Sequence, residues 1–247
     1  MYLENPKTKG SGIMCAIPQA KRCPIKCPEC FFNSGRSYLE PLDQNLPNMP
    51  DPEDIQRNGS VVVRVNDGND SSIEIDEVLA KTSAYPLRFF NTIFPVRLDK
   101  FPGPVVLTIN PGAMTDSDFH RLLDYPRNLM FVRFRTNAWN LPLADKAVAE
   151  YVAHEIPVVL TFMAYHGEAS IPEAHRPSYV YRKRTQNSYW AITTAAWREV
   201  MRRHEDNPWV HSCGKIEGEK GKTGCRWCGN CLREFFATRT RMGKAEN

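Results

Sequence analysis

Short apolar runs recur through this chain at 12–17, 61–65, 105–109, 129–135 and 157–163, with a weaker one at 209–212. Runs such as Val-Val-Val-Arg-Val at 61–65 and Val-Val-Leu-Thr-Ile at 105–109 are rich in β-branched residues and too continuous for a one-sided strand, so they predict strands buried on both faces. Helical stretches with start signals lie between them. Ser71-x-x-Glu74 precedes 73–81, Thr115-x-x-Asp118 precedes 116–124, Pro142 opens 142–154, and a further helix is expected over Tyr189–His204. Strands about 25 residues apart with helices between them imply right-handed crossovers and a parallel sheet. The expected class is α/β. Two stretches break the alternation, Pro41–Ser60 and Gly167–Asn187, and read as long loops or lids.

At 247 residues, 42% hydrophobic and 24% charged, with a mean hydropathy of −0.47, the chain suits one α/β barrel-like domain with a substantial core. No apolar stretch approaches the roughly 18–20 residues of a membrane span, and Met1–Gly10 lacks the apolar centre of a secretory leader. A cytoplasmic protein without membrane contact is expected. The net charge of +4 is uneven: 14 of the 32 Lys and Arg residues, against 7 of the 28 Asp and Glu, fall from Ser178 onward. Phosphate is one partner such a basic region can meet; plain solvated surface is the other reading.

Seven of the eight cysteines fall into two clusters. Cys23, Cys27 and Cys30 form C-x3-C-x2-C, and Cys213, Cys225, Cys228 and Cys231 form C-x11-C-x2-C-x2-C, while Cys15 stands alone on the first strand as a small buried residue. Thiolates so closely spaced in a chain expected to be cytoplasmic read as ligands of a soft metal centre before they read as disulfides. The first set is one ligand short of a closed four-coordinate site, which leaves a position open for chemistry. The alternative is a zinc knuckle completed by a fourth ligand from elsewhere, such as His166.

On Cys23-Pro-Ile-Lys-Cys27-Pro-Glu-Cys30 the chain resembles the radical S-adenosylmethionine superfamily, whose signature is C-x3-C-x2-C in the loop after the first strand of a partial (β/α)6 TIM-like barrel. The likeness is sharp at residues 23–30 and architectural elsewhere. It implies that Cys23, Cys27 and Cys30 hold three irons of a 4Fe-4S cluster and that the fourth iron binds S-adenosylmethionine. One electron would then split the sulfonium into methionine and a 5'-deoxyadenosyl radical. The family places an aromatic residue just before the third cysteine; Glu29 stands there, with Phe31 and Phe32 following. The resemblance also implies that the segment after the second strand, Asn66-Asp67-Gly68-Asn69-Asp70, meets the methionine amino group, in place of the family's Gly-Gly-Glu. A plain Asn/Asp/Gly turn is the other reading of it.

Further candidates sit at strand ends: Thr108 and Asn110 on the third run, Arg133, Arg135 and Asn137 on the fourth, Thr161, Tyr165 and His166 on the fifth. Arg133 and Arg135 share a strand face with Phe131, and two guanidiniums on so apolar a strand need partners. A carboxylate such as that of S-adenosylmethionine, a substrate phosphate or internal acidic residues would serve.

The four C-terminal cysteines form a complete set, open to zinc or to a fully ligated 4Fe-4S cluster. The resemblance favours an auxiliary iron–sulfur cluster. Trp227 between them reads as shielding. The chain thus divides into a barrel, 1–208, and a small metal-binding extension, 209–247. The expectation is a radical S-adenosylmethionine enzyme with an unidentified substrate (nucleotide, nucleic acid or peptide) and an electron donor such as a flavodoxin or ferredoxin. The competing expectation is a non-catalytic zinc or iron–sulfur module that binds nucleic acid through its basic C-terminal surface.

Overall fold

The computed structural model describes residues 1–27, 30, 32, 37–57, 61–111, 125–184, 187–213 and 224–243. Seven strands form one parallel sheet: β1 (Ile13–Ala16), β2 (Val62–Val65), β3 (Arg88–Thr92), β4 (Val105–Ile109), β5 (Leu129–Thr136), β6 (Val158–Phe162) and β10 (Val210–Ser212). Neighbours in the sheet follow one another along the chain, from β1 at one edge to β6 and then β10 at the other, and every pairing is parallel. A sheet wound in one direction with right-handed crossovers puts its helices on one face. The sheet therefore curls, and it forms a half-barrel.

The convex face carries the main core. Val63, Val65, Phe90, Leu107, Ile109, Val132, Phe134, Val158 and Leu160 meet Val78 of α2 (Ile75–Lys81), Ala144, Ala147 and Tyr151 of α3 (Leu141–Ala153), and Val200 of α4 (Thr194–Arg202). A short helix, α1 (Pro52–Arg57), adds Ile55. The alternate residues Val62, Phe89, Val106, Phe131 and Val159 point to the concave face, where they pack on Phe235 of the C-terminal helix α6 (Asn230–Gly243). That helix is tied at one end by Asn230 Nδ2 donating to the Ser212 carbonyl at 2.9 Å. At the other, Arg241 donates to the Arg127 and Leu129 carbonyls. Val210–Ser212 and Asn230–Gly243 thus supply the last strand of the sheet and the lining of its concave side.

Five expectations are corrected. The strand β3 is absent from the sequence reading because Arg-Phe-Phe-Asn-Thr has no clear period: its buried Asn91 faces the concave side, donating from Nδ2 to the Val65 carbonyl. The helix expected over Tyr189–His204 is a strand, β9 (Tyr189–Ile192), followed by α4, whose start is capped by the Thr193 hydroxyl accepting from the Ala196 amide. Gly167–Asn187 is not a plain loop, since β8 (Tyr179–Arg182) pairs antiparallel with β9, which also pairs with β7 (Ala164–Tyr165). Pro41–Ser60 contains α1. Ser71 does not cap a helix at 73; its hydroxyl accepts from Asn66 Nδ2, and α2 starts at Ile75 after Glu74 in a left-handed conformation. The helix expected at 116–124 lies outside the described residues. Among the described residues no helix is long and apolar enough to cross a membrane.

Candidate functional site

Chain leaving β1 passes along the C-terminal edge of the sheet and carries Cys23, Cys27 and Cys30, all half-buried. The three thiols are within electrostatic reach of one another. Burial pushes Cys23 up to about 11, with Asp70 and the two sister thiols adding to the shift. Burial and Cys30 also raise Cys27, while the Arg135 guanidinium and the Asn110 side chain favour its thiolate. Cys23 and Cys30 border a small core of Ile17, Phe32, Leu39, Leu42 and Leu46 that fixes this loop.

The loop after β2 docks against the cysteine segment. A Cβ at Gly68 would stand 2.1 Å from Cδ2 of Phe32, so only glycine admits the ring there. Both carboxylates of this loop are engaged. Asp70, buried and raised by that burial, accepts from the Ser72 and Ile93 amides and from the Thr92 hydroxyl. Asp67 pairs with Arg64 and accepts from Asn5 and Tyr38. Asn69 donates to the Lys21 carbonyl and accepts from the Asp70 amide. Asn66, at φ 60°, is buried, and its Oδ1 has no hydrogen-bond partner.

The concave face above the Phe235 layer is polar. Arg133 donates to Asn91 Oδ1 at 2.9 Å and lies over the Phe131 ring, and no carboxylate among the described residues pairs with it. Arg135 donates to Met163 Sδ at 2.8 Å. Thr108 is in register with Arg133, and Thr161 with Arg135. The Thr161 hydroxyl and Asn110 Nδ2 are buried without a full hydrogen bond, as is His166 Nε2 beyond β7. Such orphaned groups are uncommon in folded proteins; those of Asn66, Asn110 and Thr161 stand at or just past the C-terminal ends of β2, β4 and β6, and others lie elsewhere, on Gln19, Arg88 and Asn128. Tyr165 is turned into the small core that includes Met163: its hydroxyl accepts from Asn137 Nδ2, and its ring is buried against Trp139 and Tyr179.

The second cysteine set faces the same concave surface. Cys213 follows β10, Cys225 and Cys228 bound the single helical turn α5 (Cys225–Cys228), and Cys231 lies in the first turn of α6. Burial pushes Cys231 up to about 12, opposed by the Arg133 and Arg64 guanidiniums; Cys225 is raised by burial and eased by Arg64. Trp227 is partly exposed under the Arg226 guanidinium. Arg133 and Arg135 are two positions apart on one strand, roughly 7 Å. One touches the field of Cys231 and the other that of Cys27, so the two cysteine sets flank a single polar floor.

Sequence reasoning misses Arg64, the charged residue inside the apolar run of β2, although the argument applied to Arg133 covers it equally. Its guanidinium reaches Cys15 Sγ at 3.3 Å, and burial, which alone would favour its neutral form, is outweighed by Asp67 and the surrounding thiols. Cys15 is accordingly more than apolar filling, with Asn5 and Thr8 also beside its sulfur.

Among the described residues no group of three or more His, Cys, Asp or Glu side chains converges tightly enough for a single metal ion. Thiolates around one zinc stand about 3.8 Å apart, as Zn–S bonds of about 2.3 Å require. A cluster takes each thiolate on a different iron, so its ligands stand farther apart. No family model matches the chain, and no curated protein and no solved structure matches it significantly.

Proposed function

We propose that the protein is a radical S-adenosylmethionine enzyme built on a partial (β/α)6 TIM-like barrel. The observation that carries this reading is the three-cysteine loop after β1, leaving the C-terminal end of its strand, with the Asn66 Oδ1 and the Thr161 hydroxyl buried without partners at the ends of β2 and β6. Cys23, Cys27 and Cys30 would hold a 4Fe-4S cluster, leaving one iron for S-adenosylmethionine. When bound, the pair supplies a 5'-deoxyadenosyl radical that removes hydrogen from the substrate.

The chain's own groups divide the binding work by chemistry. Asn66 Oδ1 is a spare buried acceptor and suits an ammonium. Asn110 Nδ2 and Arg135 are donors beside Cys27 and suit a carboxylate or a cluster sulfur. Asp67 and Asp70, spent on Arg64 and on the turn into β3, shape the loop rather than bind through their carboxylates. Arg64 and Arg133 offset the negative charge that Cys213, Cys225, Cys228 and Cys231 would carry around an auxiliary cluster.

The test is anaerobic incubation of the iron-loaded protein with dithionite and S-adenosylmethionine. Formation of 5'-deoxyadenosine by the native chain, and its loss in Cys30→Ala, is the expected result. Equal product from Cys30→Ala would remove the ligand role.

A further inference from the structure

From Ala174 to Arg198 the chain carries Arg176, Arg182, Lys183, Arg184 and Arg198 and no acidic residue. The structure gathers three of these cations at the end of the antiparallel arm formed by β8 and β9. Arg182, Lys183 and Arg184 are exposed there, and Tyr181 is 49% exposed. Tyr181 stands directly across from Trp190, ring centroids 5.5 Å apart, and Arg182 across from Tyr189. Arg184 lies over the Tyr189 ring at 5.2 Å and donates to its hydroxyl. A charged tip that served solubility alone would keep its aromatic rings inside. Here the Tyr181 ring is exposed beside the cations, and the Tyr189 and Trp190 rings are half-buried.

Faces of π density flanked by guanidinium and ammonium groups suit unstacked bases and the phosphates between them. The arm is also anchored at the candidate site. Tyr165, Tyr179 and Ile192 of its three strands pack with Met163, whose sulfur accepts from Arg135, and Arg135 lies beside Cys27. We infer that the β8–β9 arm, through Tyr181, Arg182, Lys183, Arg184, Tyr189 and Trp190, binds single-stranded nucleic acid at the mouth of the half-barrel, and that the site's substrate is a nucleotide in such a strand. The second clause rests on the radical enzyme reading; the binding surface does not.

Binding of a short labelled oligouridylate or oligothymidylate to the full chain, followed by fluorescence anisotropy between about 50 and 200 mM salt, tests it. Affinity should fall steeply with salt, and the combined Arg182→Gln, Lys183→Gln and Arg184→Gln variant should lower the logarithmic slope by about 2. Tyr181→Ala should weaken binding roughly five- to hundredfold with the slope unchanged, and Tyr181→Phe should restore it. The stronger of the two oligonucleotides identifies the strand as RNA or DNA. Absent binding, equal affinity for a duplex, or indifference to both the Gln and Ala variants would overturn the inference. The same titration on Cys30→Ala separates the two readings. Binding there without any 5'-deoxyadenosine from the native chain would fell the enzyme reading alone; 5'-deoxyadenosine without binding would fell this one alone.

Discussion

The Arg64 guanidinium and the Asp67 carboxylate form an ion pair sealed inside the fold, their side chains 10% and 5% exposed. The pair joins the second strand to the loop that follows it. Arg64 also reaches the Cys15 thiol and the field of Cys225 and Cys231, while Asp67 reaches Asn5 and Tyr38. A buried pair contributes little over an apolar substitute, but losing one member strands the other charge. Arg64→Met should therefore cost about 3–5 kcal/mol in denaturant unfolding. Adding Asp67→Asn should recover a large part of it; strictly additive losses would show that the two side chains are not coupled.

Cys15 supplies a pH signature. Its thiol is raised from 9.0 to about 11 by burial, with Asp67 adding to the shift and Arg64 opposing it. Between those values the folded state holds a proton that the unfolded chain releases, so the stabilising contribution is full below pH 9 and lost as pH rises through about 11. A shift of this size corresponds to about 3 kcal/mol. Thermal unfolding of metal-free protein should show a falling midpoint across that window, and Cys15→Ala should flatten part of the fall. An unchanged profile in Cys15→Ala would place the alkaline sensitivity in other groups.

Gly68 is set by contact. Gly68→Ala should destabilise the chain by about 1–3 kcal/mol, because the new methyl group overlaps the Phe32 ring. Phe32→Leu in the same chain should return some of the loss by clearing the ring edge. If Gly68→Ala unfolds at the native midpoint, Phe32 does not occupy the space against this loop.

Metal content distinguishes the two cysteine sets. Anaerobically prepared protein should be brown, with about seven or eight irons if both sets hold clusters, or about four irons plus zinc if the C-terminal set is tetrahedral. Cys23→Ala with Cys27→Ala should remove one portion, and Cys228→Ala with Cys231→Ala the other. Colourless protein with two zincs would reject the radical chemistry.

The strands could be read in the sequence wherever one apolar run serves both faces. Val62–Val65, Val105–Ile109 and Val158–Phe162 sit at or within a residue or two of their expected limits. The pattern is lost where polar residues leave too short an apolar run, or where a strand stands outside the main sheet. In β3, Asn91 interrupts the apolar pattern because it holds Arg133; in β9, Tyr189–Ile192 carries aromatic residues at a spacing that passes for the start of a helix. Arg64 carries no comparable signal, because a single charge in an apolar run does not name its partner.

Local spacing by itself determined the parallel α/β class and the grouping of seven cysteines into a set of three and a set of four, since hydrophobic period and ligand interval are both short-range properties of the chain. Only the tertiary structure decided that both sets border one concave floor, that Arg64, Arg133 and Arg135 lie between them, and that the carboxylates of Asp67 and Asp70 are already taken. Those relations depend on how the sheet curls and where α6 crosses it, and contacts between residues more than a hundred positions apart leave no local pattern to read.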